Sequence, residues 1–145
     1  MTHILLNIKY KNRESILIDD TIGKKLIVDW TNYNLHTLVK EPIMYVFPAA
    51  YIMKKNDKEE LYYNNSNINE NDVVRKLDYC GYTGLGLLSE SHISIHTYPE
   101  KNTIHIDFFS CKQLDEDKNK DFIEKRLEKE KSIIFQLTFI NRELE

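Results

Sequence analysis

The chain has 145 residues, of which 41% are hydrophobic and 30% charged, as is typical of one soluble globular domain spanning residues 1–145. The formal net charge is −3, so neither nucleic acid nor an anionic membrane is an expected partner. No apolar run approaches the roughly 20 residues of a membrane span, and the first residues lack a signal-peptide pattern, which favours the cytoplasm. With only two cysteines, Cys80 and Cys111, and no CxxC pair, a free thiol is expected at each position.

The first half of the chain mixes strand and helix signals. Residues 1–22 predict an additional N-terminal hairpin, because HILLNIKY and ESILID are strand-like and a polar KNR separates them. The following GKKLIVDW predicts a short strand from its continuous Leu-Ile-Val run. Residues 40–56 predict the first helix, with Pro42 in its first turn. Residues 56–72 predict a polar loop around a short strand at 61–63.

The second half carries a regular series of short strand patterns. They cover residues 72–79, 82–89, 91–98 and 103–111. Residues 115–131 predict a charged surface helix that Asp115 or Asp117 can cap. The last segment, SIIFQLTFI, alternates apolar and polar residues like a half-buried strand. The series predicts an α+β fold: a two-layer sandwich of a mostly antiparallel sheet with helices on one face.

One stretch, LLSESHISIHTYPE followed by IHIDFFSC, places a serine, histidines and a cysteine close together. It resembles the SESHxxIHTxPE motif and the D-x-F-T-C element of the prokaryotic-type S-adenosylmethionine decarboxylase proenzymes, most closely over residues 81–111. The resemblance implies that the chain cuts itself between Glu90 and Ser91. It also implies that Ser91 then becomes an N-terminal pyruvoyl group, which serves as the cofactor.

The resemblance implies roles for further residues. Ser91 Oγ would attack the carbonyl carbon of Glu90, and Thr83 and His96 stand where the family keeps a hydroxyl residue and a histidine for this self-cleavage. The pyruvoyl group would form a Schiff base with the substrate amine and accept electrons as CO₂ leaves. Cys111 would protonate the product carbon as a general acid. The implied activity is decarboxylation of S-adenosylmethionine to the aminopropyl donor for spermidine synthesis.

Strand spacing predicts which of these residues lie opposite each other. If the strand that carries Ser91 pairs with the next strand around Lys101, Ser91 lies opposite Cys111. If the same strand pairs with the preceding one, His96 lies opposite Thr83.

The same spacing predicts a homodimer with composite sites. An extended strand separates Ser91 from His96 by about 16 Å, which is too far for a hydrogen bond. In a two-fold dimer, Ser91 and Cys111 of one subunit can meet Thr83 and His96 of the other, and the resemblance implies the same arrangement. A metal site is not expected, because His92 and His96 lie about 13 Å apart on one strand.

The resemblance also implies substrate contacts. Glu100 would bind the ribose hydroxyls, and Tyr98 takes the place of a common tryptophan. Leu77 stands where the family usually has a phenylalanine that can stack on adenine. This leaves one alternative open, a pyruvoyl-dependent arginine or ornithine decarboxylase on the same scaffold. The divergent N-terminal half leaves a second alternative open, a non-catalytic homologue that regulates an active enzyme.

Overall fold

A computed structural model describes residues 1–48, 50–63 and 69–143. The strands are β1 (Thr2–Tyr10), β2 (Ile43–Val46), β3 (Ala50–Lys55), β4 (Lys58–Tyr63), β5 (Val73–Leu77), β6 (Tyr82–Leu87), β7 (His92–Tyr98), β8 (Thr103–Ser110) and β9 (Ser132–Asn141). The helices are α1 (Asp20–Tyr33) and α2 (Glu116–Arg126). In this part of the chain, neither helix has the length and apolar character needed to cross a membrane.

The strands form two antiparallel sheets. The larger sheet has six strands in the order β2-β6-β7-β8-β1-β9, and the smaller sheet has three in the order β4-β3-β5. The smaller sheet is built from the chain between β2 and β6 and has its own small core around Ala50, Ile52 and Leu77. The predicted α+β class is confirmed.

Both helices pack on one face of the six-stranded sheet. In α1, Trp30 follows Leu26 by four residues and Ile27 by three, so these side chains form one buried stripe. The Trp30 ring meets the ring of Phe108 on β8 edge to face, with 5.1 Å between centroids. Because side chains alternate along a strand, every second residue of β1, β7 and β8 joins this core. The residues between them lie on the opposite face, called the open face below.

The predicted charged helix is confirmed in a shorter form. The Asp115 side chain accepts a hydrogen bond from the backbone N–H of Lys118 at 2.9 Å, which caps the first turn of α2. The helix ends at Arg126, and a short 3₁₀ turn over Lys129–Lys131 leads into β9. The alternation of β9 is also confirmed, because its partly buried side chains pack against the main core. They are Phe135, Leu137 and Phe139.

Asn119 joins the two helices through one buried and one partly buried hydrogen bond. Its Oδ1 accepts from Trp30 Nε1 at 2.8 Å and from Asn34 Nδ2 at 2.8 Å.

An Asn119→Leu substitution leaves the indole N–H buried without its acceptor, so we expect the free energy of unfolding to fall by about 2 kcal/mol. Denaturant titration measures this change. Asn32→Leu, on the exposed side of α1, is the matched control, and an equal loss for both variants would contradict the prediction.

The predicted hairpin over residues 1–22 is wrong. β1 lies inside the six-stranded sheet between β8 and β9, a 3₁₀ turn covers Ser15–Leu17, and α1 begins at Asp20. The GKKLIVDW stretch is helical rather than extended. A short apolar run is compatible with a strand or a buried helix, and here packing against the sheet decides for the helix.

The predicted helix over residues 40–56 is also wrong. These residues contribute to β2 and β3, which pair with β6 and with β4 and β5. Asn56 and Asp57 have positive φ angles of 52° and 62° in the tight turn that joins β3 to β4. The predicted strand at 61–63 is confirmed as the end of β4. Of the predicted loop, residues 64–68 lie outside the described part of the chain.

Candidate active site

Ser91 lies in the tight connection between β6 and β7. It is only 7% exposed, and its Oγ accepts a hydrogen bond from the backbone N–H of Cys111 at 2.8 Å. Its carbonyl accepts from the N–H of Leu88 at 2.9 Å, which closes the turn around Ser89 and Glu90. Since Glu90 is exposed, the Glu90–Ser91 peptide bond crosses from the surface into the edge of the core.

β7 and β8 pair one residue away from the predicted register. His92 lies opposite Phe109, so extending the pairing by one residue sets Ser91 opposite Ser110 rather than opposite Cys111. Ser91 and Cys111 are nevertheless adjacent. The chain leaves β8 after Ser110, and the bend that follows brings the Cys111 amide to the Ser91 hydroxyl.

β6 and β7 pair in the predicted register. Thr83 lies opposite His96, and Thr83 Oγ1 and His96 Nδ1 share a hydrogen bond of 3.0 Å. His105 of β8 lies opposite His96 on the other side, and the ring of Tyr98 meets the ring of His105 edge to face at 5.5 Å. Burial, together with the neighbouring His96, lowers the pKa of His105. Thr83, His96, Tyr98 and His105 are called the open-face cluster below.

Ser91 and the open-face cluster occupy different places on the sheet. Ser91 has the same parity along the strand as the buried Ile93 and Ile95, so it belongs to the helix-covered face, whereas His96 belongs to the open face. β7 runs unbroken from His92 to Tyr98, so the distance of about 16 Å expected between Ser91 and His96 stands. Within one chain, these two side chains therefore do not meet.

The residues expected to contact the substrate belong to different parts of the fold. Tyr98 belongs to the open-face cluster, and Glu100 follows it in the short Pro99–Lys101 turn. Burial raises the pKa of the Glu100 carboxyl above its ordinary value. Leu77, in contrast, is buried in the core of the smaller sheet opposite Ala50. The position expected to stack on adenine is thus not on the face that carries Thr83 and His96.

A buried pair beside Ser91 was not predicted from the sequence. His36 Nε2 and Ser110 Oγ share a hydrogen bond of 2.7 Å, and both residues are buried. Burial and the positive charge of Lys112 lower the pKa of His36. The alternation of β8 could have indicated that Ser110 points inward, but a single histidine in a loop gives no signal of its partner.

Comparisons with a family model and with known sequences point to the same family. The model of the S-adenosylmethionine decarboxylase family matches residues 61–139. An S-adenosylmethionine decarboxylase proenzyme 2 of Bacillus cereus is 56% identical over 41 residues, which are 28% of this chain and 33% of that protein. An S-adenosylmethionine decarboxylase proenzyme of Archaeoglobus fulgidus is 29% identical over 90 residues, or 62% of this chain and 71% of that protein.

The fold has a counterpart among solved structures. The crystal structure of the adenosylmethionine decarboxylase from Aquifex aeolicus matches with a TM-score of 0.61 and 20% identity, over 99% of this chain and 91% of that one. At this identity the match shows a shared fold. The Bacillus match, in contrast, is a local one that spans about a third of that relative.

Proposed function

We propose a function from one premise, which is that the chain belongs to the S-adenosylmethionine decarboxylase family. The proposed activity is pyruvoyl-dependent decarboxylation of S-adenosylmethionine to the aminopropyl donor for spermidine synthesis, after the chain cuts itself between Glu90 and Ser91. The observation that carries the proposal is the hydrogen bond from the Cys111 amide to Ser91 Oγ. It holds a shielded hydroxyl next to the peptide bond to be cut and beside a cysteine.

The self-cleavage uses the Ser91 hydroxyl as an internal nucleophile. Its Oγ bonds to the carbonyl carbon of Glu90, the peptide C–N bond breaks, and the hydroxyl proton ends on the freed amine of Ser91. A base then removes the α-proton of Ser91, and β-elimination releases the carboxyl group of Glu90. The dehydroalanine that remains hydrolyses to the pyruvoyl group and ammonia. We assign the base to His96, with Thr83 holding its ring through the 3.0 Å hydrogen bond.

The surroundings of Ser91 suit a pyruvoyl group. The Cys111 N–H is a donor aimed at an oxygen of residue 91, and such a donor also stabilises a carbonyl oxygen. When formed, the group supplies an electron sink for the loss of CO₂. The Cys111 thiol would then donate a proton to the product carbon, and Glu100 would accept hydrogen bonds from the ribose hydroxyls.

The composite site requires a homodimer in which the end of the sheet that carries Ser91 meets the open face of the partner, where His96 lies. In one chain Ser91 and His96 are about 16 Å apart. A two-fold axis can bring Ser91 of each chain next to His96 of the other chain. The open face carries large apolar side chains that are exposed or only partly buried. They are Leu5, Ile43, Tyr45, Leu85, Leu87, Phe109, Ile134 and Ile140. Such a patch is typical of an interface.

Sedimentation should show a dimer, and an active, fully processed monomer would contradict the composite site.

A second candidate substrate class follows from the position of Leu77. Because Leu77 is buried in the smaller sheet, it does not supply the stacking surface for adenine, and arginine or ornithine would not need that surface. The deciding experiment incubates the purified, processed protein with each carboxyl-labelled substrate and measures ¹⁴CO₂. Release from S-adenosylmethionine alone supports the proposed function. Release from arginine or ornithine alone identifies the second candidate, and an intact, inactive chain identifies a non-catalytic homologue.

A further inference from the structure

The buried pair of His36 and Ser110 has no role in the chemistry described so far. It lies on the helix-covered face of the sheet, which is also the face to which Ser91 belongs. Continuing the β7–β8 pairing by one residue sets Ser110 opposite Ser91, and side chains opposite each other on neighbouring strands lie about 5 Å apart at Cβ. The pair is therefore next to the residue proposed to cut the chain.

Two consecutive backbone amides connect the pair to Ser91. The N–H of Cys111 donates to Ser91 Oγ at 2.8 Å, and the N–H of Lys112 donates to Ser110 Oγ at 3.1 Å. In the bend that follows β8, the Lys112 amide is thus fixed by Ser110, and the Cys111 amide holds Ser91. If the Ser110 hydroxyl is removed, the bend loses its hydrogen bond at Lys112, the residue that directly follows Cys111.

A left-handed residue at the end of α1 sets the position of His36. Leu35 has a φ angle of 59° although it is not glycine, and it is 83% exposed. This left-handed conformation ends the α1 segment and turns His36 toward the core. It is stabilised by the His36 N–H, which donates to the Thr31 carbonyl at 3.0 Å, and by Lys112 Nζ, which donates to the Leu35 carbonyl at 3.0 Å.

We propose that His36 and Ser110 are positioning residues for the self-cleavage, because they fix the bend whose Cys111 amide holds the Ser91 hydroxyl for attack. This inference rests on the proposed function. The step concerned is the first one: Ser91 Oγ bonds to the carbonyl carbon of Glu90, the peptide C–N bond breaks, and the proton moves from Oγ to the freed amine. Neither His36 nor Ser110 forms or breaks a bond.

The hydrogen-bond pattern allows Ser110 to donate to a neutral His36. Ser110 Oγ accepts from the Lys112 amide, so its own proton is available to donate to His36 Nε2. This arrangement needs a neutral imidazole. Burial and the charge of Lys112 lower the pKa of His36, which favours the neutral ring.

The test follows the rate at which freshly made, full-length chain is cut. Ser110→Ala removes both hydrogen bonds of the hydroxyl, and His36→Leu breaks the pair from the other side. We expect each to slow cleavage by about tenfold to a hundredfold, the scale of a small misplacement of reacting groups. Ser110→Thr and His36→Gln keep a hydroxyl and an acceptor, and we expect them to restore most of the rate.

A matched control separates positioning from stability. Thr2 lies opposite Ser110 on β1, is equally buried, and its Oγ1 accepts from the backbone N–H of Leu114 at 2.9 Å. Thr2→Ala therefore removes a comparable hydroxyl on the side of β8 away from Ser91. We expect it to cost stability like Ser110→Ala but to leave the cleavage rate unchanged. Slowing in proportion to stability across all of these variants would overturn the inference.

Hydroxylamine identifies the step that is slowed. It cleaves an ester rapidly, so a variant blocked after ester formation is cut when hydroxylamine is added. The inference predicts no such increase for Ser110→Ala or His36→Leu, because their defect comes before the ester, and a large increase would overturn it. Wild-type chain that never cuts overturns the proposed function itself. Wild-type cleavage with unchanged rates in both variants overturns this inference alone.

Discussion

A Ser91→Ala chain should remain intact at 17.3 kDa, whereas the wild-type chain should yield fragments of about 11 and 7 kDa for residues 1–90 and 91–145. The substitution removes the Oγ that attacks Glu90, and no pyruvoyl group can then form at position 91. Decarboxylation should fall to background for the same reason. Intact mass spectrometry measures both outcomes, because conversion of serine to pyruvoyl also changes the mass of the shorter fragment.

The neighbouring serine provides a strict control for this prediction. Ser89 lies two residues away in the same turn, but it is exposed and precedes the predicted cut. Ser89→Ala should therefore cut like the wild-type chain. Cleavage of Ser91→Ala at the same bond would show that Ser91 is not the internal nucleophile, and loss of cleavage in both variants would show that the result reflects the turn rather than the Ser91 hydroxyl.

Mixed dimers provide the second large effect. A His96→Ala chain alone should not complete cleavage, and neither should a Ser91→Ala chain. In a dimer of one of each, a composite site combines Ser91 of the His96→Ala chain with His96 of the Ser91→Ala chain, so one complete site remains. We therefore expect cleavage to return from background to nearly all His96→Ala chains in these mixed dimers, while every Ser91→Ala chain stays intact.

The experiment requires two affinity tags so that only mixed dimers are isolated and each chain is recognised by its mass. Dimers made of two His96→Ala chains serve as the control for residual cleavage. If mixed dimers remain uncut although each variant pairs with wild-type chain, the site is formed within one chain, and the two-fold arrangement is wrong.

The parts of the site predicted well from the sequence depend on neighbouring strands and short turns. Thr83 and His96 face each other as predicted, because β6 and β7 alternate regularly and a tight turn fixes their register. The β7–β8 pairing is shifted by one residue. The loop between Tyr98 and Thr103 has an even number of residues and ends with Asn102 at a φ of 53°, a detail that strand patterns do not carry. The shift exchanges Cys111 for Ser110 opposite Ser91.

The parts predicted badly depend on contacts between distant segments. α1 contains an apolar run that is equally compatible with a strand, and only its packing on the sheet resolves the choice. β1 resembles half of a local hairpin, yet its partners are β8 and β9, about a hundred residues further along the chain. His36 has no recognisable pattern because its partner, Ser110, is 74 residues away.

The place of β1 gives the proposed cut an unusual mechanical consequence. Cleavage after Glu90 would assign β1, β2 and β6 to one fragment and β7, β8 and β9 to the other, yet β1 remains between β8 and β9. Strands of the two fragments therefore alternate in one hydrogen-bonded sheet, so breaking one peptide bond releases neither fragment. Unfolding, in contrast, would let them diffuse apart, and refolding would become a bimolecular reaction that slows with dilution. The Glu90–Ser91 bond would thus be needed while the sheet assembles from one chain, and it would no longer be needed once the sheet has formed.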